Sequence, residues 1–164
     1  VLLGLGRHRG LTDEKLHAGL LAAAAVGYLI ARNASVSGAE GGCQAEIGSA
    51  AAMAAAAIAA LSGAQAPACL DAAAIALKNV MGLVCDPVAG LVECPCIKRN
   101  AMGAVNALLA ADLVMAGVSS VIPFDEAVSA MRSVGKALPL DLRETARGGL
   151  AATPTGRRIA EGLN

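Results

Sequence analysis

Aromatic side chains are nearly absent from this sequence. Tryptophan is missing, and Tyr28 and Phe124 are the one tyrosine and the one phenylalanine in 164 residues. Yet hydrophobic residues make up 56% of the chain, above the globular average of roughly 45–50%. The excess is alanine, the strongest helix former. A core without rings must be filled by small-faced helices at close approach. This predicts an all-α fold: one compact domain, residues 1–164, of about six helices with a cysteine-bearing loop between apolar ones.

Net charge is missing as well, since 13 basic residues balance 13 acidic ones. Without a basic excess or stacking rings, no nucleic-acid partner is expected. Long uncharged runs are also scarce. Ala18 to Ala31 falls short of the roughly 20 residues that span a bilayer. Later apolar stretches are broken by Ser62, Gly63, Gln65 and Pro67, or carry Asn106 and Asp112. No membrane span is expected. The start does not read as a secretory leader, because Arg7, His8 and Arg9 follow Leu2, Leu3 and Leu5 rather than precede them. An odd cysteine count without a leader points to a reducing compartment, the cytoplasm, and to thiols used as ligands or redox groups. The opening valine suggests a piece of a longer protein.

Along the chain, Thr12 is placed to cap a helix reaching Arg32, with Asp13 and Glu14 in its first turn. His17 on this helix reads as a surface residue. The glycine-rich stretch Asn33–Gly42 is a loop, and Cys43 stands at the mouth of the next helix, which ends near Leu61. A helix around Pro67 to Val80 carries Cys69, read as a small packing residue. Further helices are expected from Arg99 or Asn100 to Gly117, from Phe124 to Leu138, and after the Thr153-Pro154 cap. Val1–Gly10 and Pro139–Gly149 read as irregular.

Three of the five cysteines, Cys85, Cys94 and Cys96, fall between Cys85 and Cys96 in a segment broken by Pro87, Gly90 and Pro95. The paired C-x-x-C spacing of structural zinc sites is lacking, and His8 and His17 offer no ligand-like spacing. Separated thiolates suit an iron–sulfur cluster with one iron left open as a Lewis acid. A helical module whose cysteines bind zinc or simply pack remains the alternative.

The blocks Gly42-Cys43-Gln44-Ala45-Glu46-Ile47-Gly48, Cys85-Asp86-Pro87-Val88-Ala89-Gly90-Leu91-Val92, Pro95-Cys96-Ile97-Lys98-Arg99-Asn100-Ala101-Met102-Gly103, and Glu144-Thr145 with Gly148-Gly149-Leu150-Ala151 resemble the iron–sulfur L-serine dehydratases (L-serine ammonia-lyases). The resemblance runs over essentially the whole chain, in order. Its ending is similar to the α subunit of the two-chain form. It implies an all-helical catalytic domain holding a [4Fe–4S] cluster through Cys43, Cys85 and Cys96. It further implies dehydration and deamination of L-serine to pyruvate and ammonia, within cytoplasmic amino-acid degradation and gluconeogenesis. A β subunit or β domain is the implied partner, and a homo-oligomer is possible by the same resemblance. A cluster lyase acting on another β-substituted amino acid is a variant of this reading.

Two departures stand out. Cys94 occupies a position where that family has an apolar residue, so it is expected to be a neighbour rather than a ligand. The family's upstream segment, rich in serine, threonine and glycine, has no counterpart here, nor has the β portion. The chain by itself is therefore expected to be inactive, and its catalytic base is not identified. Glu46, Lys98, Arg99 and Asn100 follow the ligand cysteines and are candidates for orienting a substrate carboxylate. Arg99 has the best geometry for it, since a guanidinium binds two oxygens at once.

Overall fold

A computed structural model describes residues 1–163. Among them there are eight α-helices and no strand: α1 (Leu2–Arg9), α2 (Asp13–Asn33), α3 (Gly38–Gly41), α4 (Ser49–Leu61), α5 (Ala66–Lys78), α6 (Cys96–Met115), α7 (Phe124–Ala137) and α8 (Pro154–Glu161). The all-α expectation holds. The two helices beyond the expected six are α1, which tolerates Gly4 and Gly6, and the single turn α3 inside the glycine-rich loop. A π-helical turn, Gln44–Gly48, leads directly into α4.

Local chemistry sets the helix starts. Thr12 Oγ1 accepts the Lys15 amide at 3.4 Å, and Asp13 and Glu14 lie in the first turn of α2, facing its positive end. Pro67 sits in the first turn of α5, where its missing N–H costs nothing. Thr153 Oγ1 accepts the Gly156 amide at 3.1 Å and opens α8.

The alanines of α4 form the centre. Ala51, Ala52, Ala55, Ala56, Ala57, Ile58 and Ala59 are all buried, and α4 packs against α2, α5 and α6. Between α2, α4, α5 and α7 the core holds Val26, Ile30, Leu77, Phe124, Val128 and Met131 among alanines. A second core, between α4, α5 and α6, holds Ile58 and Ile75 with Ala107, Ala110 and Ala111. Small faces thus substitute for large side chains, as the composition requires.

By length and composition alone, Asp13–Asn33 and Gln44–Leu61 are each apolar enough to cross a membrane. The uncharged runs in the sequence led to the opposite expectation. Gln44–Leu61 is the central helix of the core, so its apolarity serves packing. On α2 the outer face leaves Leu20, Leu21 and Tyr28 exposed.

Candidate metal centre

Three chain segments meet at one notch. Cys43 immediately precedes the π-helical turn. Cys85 lies in the extended stretch after α5, and Cys96 is the first residue of α6. All three are buried. They line a cavity of about 30 Å³ together with Glu46, Ile47, Pro87, Val92, Asn100 and Glu144.

Each cysteine is fixed by its own local device. Gly42, with φ 77, turns the chain into Cys43, and a Cβ there would lie 2.7 Å from the Leu83 carbonyl oxygen. Glycine is therefore required at that step. Gln44, fully buried, clamps the same turn. Its Nε2 donates to the Gly41 carbonyl at 2.9 Å and to the Met131 carbonyl at 3.0 Å. Its Oε1 accepts the Gly82 amide at 2.8 Å. One amide side chain thus joins the Cys43 turn to α7 and to the approach of Cys85.

Cys85 is held through its backbone. Its amide donates to Leu142 O at 2.8 Å and its carbonyl accepts the Glu144 amide at 2.7 Å, a short parallel bridge to Arg143. The bridge brings Glu144, itself at φ 63, to the rim of the notch. The loop beyond Cys85 closes on itself when the Val88 amide donates to Cys94 O at 2.9 Å. Cys96 then stands at the N-terminus of α6, where unpaired amides and the helix dipole favour a thiolate.

Asp86 and Arg99 lock these segments together. Arg99 Nη1 donates to Asp86 Oδ1 and to Val84 O, each at 2.8 Å, and to Cys43 Sγ at 3.7 Å. Asp86 is 3% exposed, and its other oxygen accepts the Leu150 amide at 2.8 Å. Gly149 makes that contact possible. At φ 57, any Cβ would fall 2.3 Å from Asp86 Oδ2.

The electrostatics follow from burial and crowding. Burial pushes the Cys85 thiol well above the usual thiol range, and the nearby Cys43, Glu144 and Glu46 push it the same way. Burial also raises Cys96, with Cys43 adding and Arg99 opposing. For Arg99, burial acts to lower the pKa, but Asp86 and Cys43 together outweigh it and hold the guanidinium charged. Burial thus favours the protonated form of the Cys85 and Cys96 thiols, and an ion must displace those protons to bind.

The two sulfurs of Cys43 and Cys85 and a carboxylate oxygen of Glu46 all lie within 4.8 Å of one another. Of the residues singled out from sequence, Cys43, Cys85, Cys96, Glu46 and Asn100 converge on the notch. Arg99 is beside it, with Nη1 occupied by the protein itself. Lys98 is exposed and is not among the lining residues. Cys94 is exposed and also outside the lining. Cys69 is half-buried in α5, its thiol 3.6 Å from Ala64 O. His17 is at the surface.

Gln44, Asp86 and Glu144 were not singled out as site residues. Adjacency to Cys43 and Cys85 was the available signal for Gln44 and Asp86, whereas the Cys85–Arg143 bridge that brings in Glu144 is visible only in the structure.

The fold and the site together define an all-helical protein with a candidate thiolate–carboxylate metal centre. A family model described as serine dehydratase alpha chain matches residues 1–151, and the chain belongs to that family. It is 58% identical over 148 residues to the probable L-serine dehydratase, alpha chain, of Bacillus subtilis (strain 168), covering 90% of this chain and 49% of that one. It is 57% identical over 137 residues to the corresponding probable alpha chain of Latilactobacillus sakei, covering 84% and 66%. The L-serine dehydratase, alpha chain, of Peptoniphilus asaccharolyticus is 53% identical over 141 residues, covering 86% and 48%. The chain thus spans 49%, 66% and 48% of these three relatives.

Proposed function

We propose that this chain is the cysteine-bearing helical part of an L-serine ammonia-lyase, which converts L-serine to pyruvate and ammonia in the cytoplasm together with a β chain. The observation that carries the reading is the convergence of Cys43, Cys85 and Cys96 on one notch, in a chain whose relatives are named L-serine dehydratases.

The donor set suits a [4Fe–4S] cluster in number and kind: three soft thiols from separate segments, with Cys94 and Cys69 outside the lining. A cavity of about 30 Å³ is smaller than four irons and four sulfides, so loading requires an outer wall to yield. Val92, 61% exposed, is the exposed apolar residue of the lining. In this reading Cys43, Cys85 and Cys96 would hold the cluster, which would supply a Lewis-acid iron to help hydroxide leave from the β-carbon.

The chain's own groups do the rest. Arg99 donates to Cys43 Sγ and offsets thiolate charge, while Asp86 fixes the guanidinium in place. Asn100 lines the notch where a substrate carboxylate or hydroxyl would lie, as does Glu46. Glu144, at the rim, is placed to take a proton from a substrate held there. The aminoacrylate released by loss of water hydrolyses to pyruvate and ammonia.

The test is pyruvate release from L-serine by the complete α and β assembly, loaded anaerobically, with and without Cys85→Ala. Activity that survives the substitution, or that is absent from the loaded assembly, overturns the reading. The chain alone is expected to fold and release no pyruvate, because the remaining length present in its relatives contributes part of the active site.

A further inference from the structure

Away from the notch, the last turns of α2 and the first turns of α7 enclose a cavity of about 340 Å³. It shares no lining residue with the notch. Leu29, Phe124 and Val128 give it an apolar wall, in which Phe124 and Val128 are buried. Asp125 and Arg132 line the same cavity and are exposed. They stand seven residues apart, which is two turns of α7, about 10 Å along its axis and on one face.

These opposite charges do not pair with each other. Among the described residues the one ion pair is that of Arg99 with Asp86. Arg132 Nη1 makes a single long contact, 3.4 Å to the Asn33 carbonyl, so most of its fork stays available. Glu40, the acid of the adjoining cavity that Arg132 also borders, is engaged by the Ser35 hydroxyl. A carboxylate and a guanidinium held apart beside an apolar wall leave room for a molecule with both complementary charges and a hydrocarbon group.

We propose that this cavity binds a free α-amino acid with a hydrocarbon side chain. The ligand's carboxylate takes the Arg132 guanidinium, which can donate two parallel bonds to it. Its ammonium faces Asp125, and its side chain lies against Leu29, Phe124 and Val128. Two charge-assisted bonds of about 2.8 Å each, added to the short backbone of the ligand, bridge a gap of this order. Other ligand classes fit the walls less well. A phosphate would meet the Asp125 charge and gain nothing from the apolar wall, whereas an uncharged hydrocarbon would leave both charged groups unused.

The test is calorimetric titration of the chain with L-leucine as the probe. One equivalent is expected to bind with a dissociation constant of about 1 mM or tighter. L-Leucinamide, which lacks the carboxylate, N-acetyl-L-leucine, which lacks the ammonium, and glycine, which lacks the hydrocarbon, should each bind at least about tenfold more weakly. Arg132→Gln and Asp125→Asn should weaken L-leucine binding by a similar factor of about ten or more. Both positions are exposed, and unchanged helical circular dichroism would show that the fold is kept. Asn100→Ala, an exposed residue of the notch, should bind L-leucine as the parent does. A dissociation constant above about 10 mM, an amide or N-acetyl derivative that binds as well as L-leucine, binding that survives Arg132→Gln, or binding lost in Asn100→Ala overturns the proposal. Each of these results leaves the dehydratase reading untouched, because its cysteines lie outside this cavity.

Discussion

Beside the notch, Arg99 reaches from α6 to Asp86. Its Nη1 lies 2.8 Å from Asp86 Oδ1, with the two side chains 16% and 3% exposed. The same nitrogen donates to Cys43 Sγ, and the other Asp86 oxygen takes the Leu150 amide. A single ion pair therefore joins the Cys43 turn, the Cys85 loop, the start of α6 and the segment before α8. Removing one member of a buried pair leaves the other charge uncompensated, which costs about 3–5 kcal/mol. Asp86→Ala is accordingly expected to destabilise the chain by about 3 kcal/mol, read by urea denaturation. Arg99→Lys, which keeps the charge but not the fork, should cost less.

Gly149→Ala tests the same junction from its other side. The substitution forces a Cβ into the left-handed region and to within 2.3 Å of Asp86 Oδ2. The expected loss exceeds the roughly 1–2 kcal/mol that the left-handed region alone costs a residue with a Cβ. A fall no greater than that of Gly63→Ala, a left-handed glycine with nothing near it, would mean that the close approach is not maintained in solution.

Gln44 satisfies three backbone groups on three segments. Gln44→Leu leaves them unpaired in the interior, at about 1–3 kcal/mol each in the unrelaxed limit. Partial relaxation should bring the total to about 3 kcal/mol, and iron uptake should fall with it because Cys43 loses its clamp. Urea denaturation and iron content report the two effects separately.

The raised Cys85 thiol predicts a pH dependence of the metal-free chain. Its native pKa lies above the ordinary value of 9.0, chiefly through burial. The protonated thiol's contribution is complete below 9.0 and is lost as pH rises from there toward the native pKa, where the unfolded state ionises first. Melting temperature should therefore drop between pH 9 and higher pH by more in the parent than in Cys85→Ala. Parallel curves for the two would show that this thiol does not titrate differently on folding.

Much of this was legible in the sequence because it depends on periodicity and local chemistry. Alanine runs with two aromatics require small-faced helices, and Thr12, Pro67 and Thr153 mark helix starts by their own hydrogen-bonding chemistry. Cys43 was placed at a helix mouth by the glycines before it. Gln44 and Asp86 stood in the quoted blocks without a role, because the backbone groups of Met131 and Leu150 that they bind lie far along the chain and carry no sequence signal. Arg99 was read as a grip for a substrate carboxylate, and its Nη1 instead holds a carboxylate of the protein. α1 was missed because Gly4 and Gly6 lower helix propensity, whereas Gly6 is where Leu16 packs against the helix.

Substrate choice separates two versions of the dehydratase reading. The complete assembly is expected to release pyruvate from serine faster than sulfide from cysteine at equal concentration. The reverse order would assign the site to another β-substituted amino acid.

Anaerobic reconstitution with iron and sulfide tests the central claim most directly. The parent chain, Cys94→Ala and Cys69→Ala should gain broad visible absorption and matching iron and sulfide contents, whereas Cys43→Ala, Cys85→Ala and Cys96→Ala should each lose them. A parent chain that gains no such absorption, or a cluster that survives all three of those substitutions, would contradict the account.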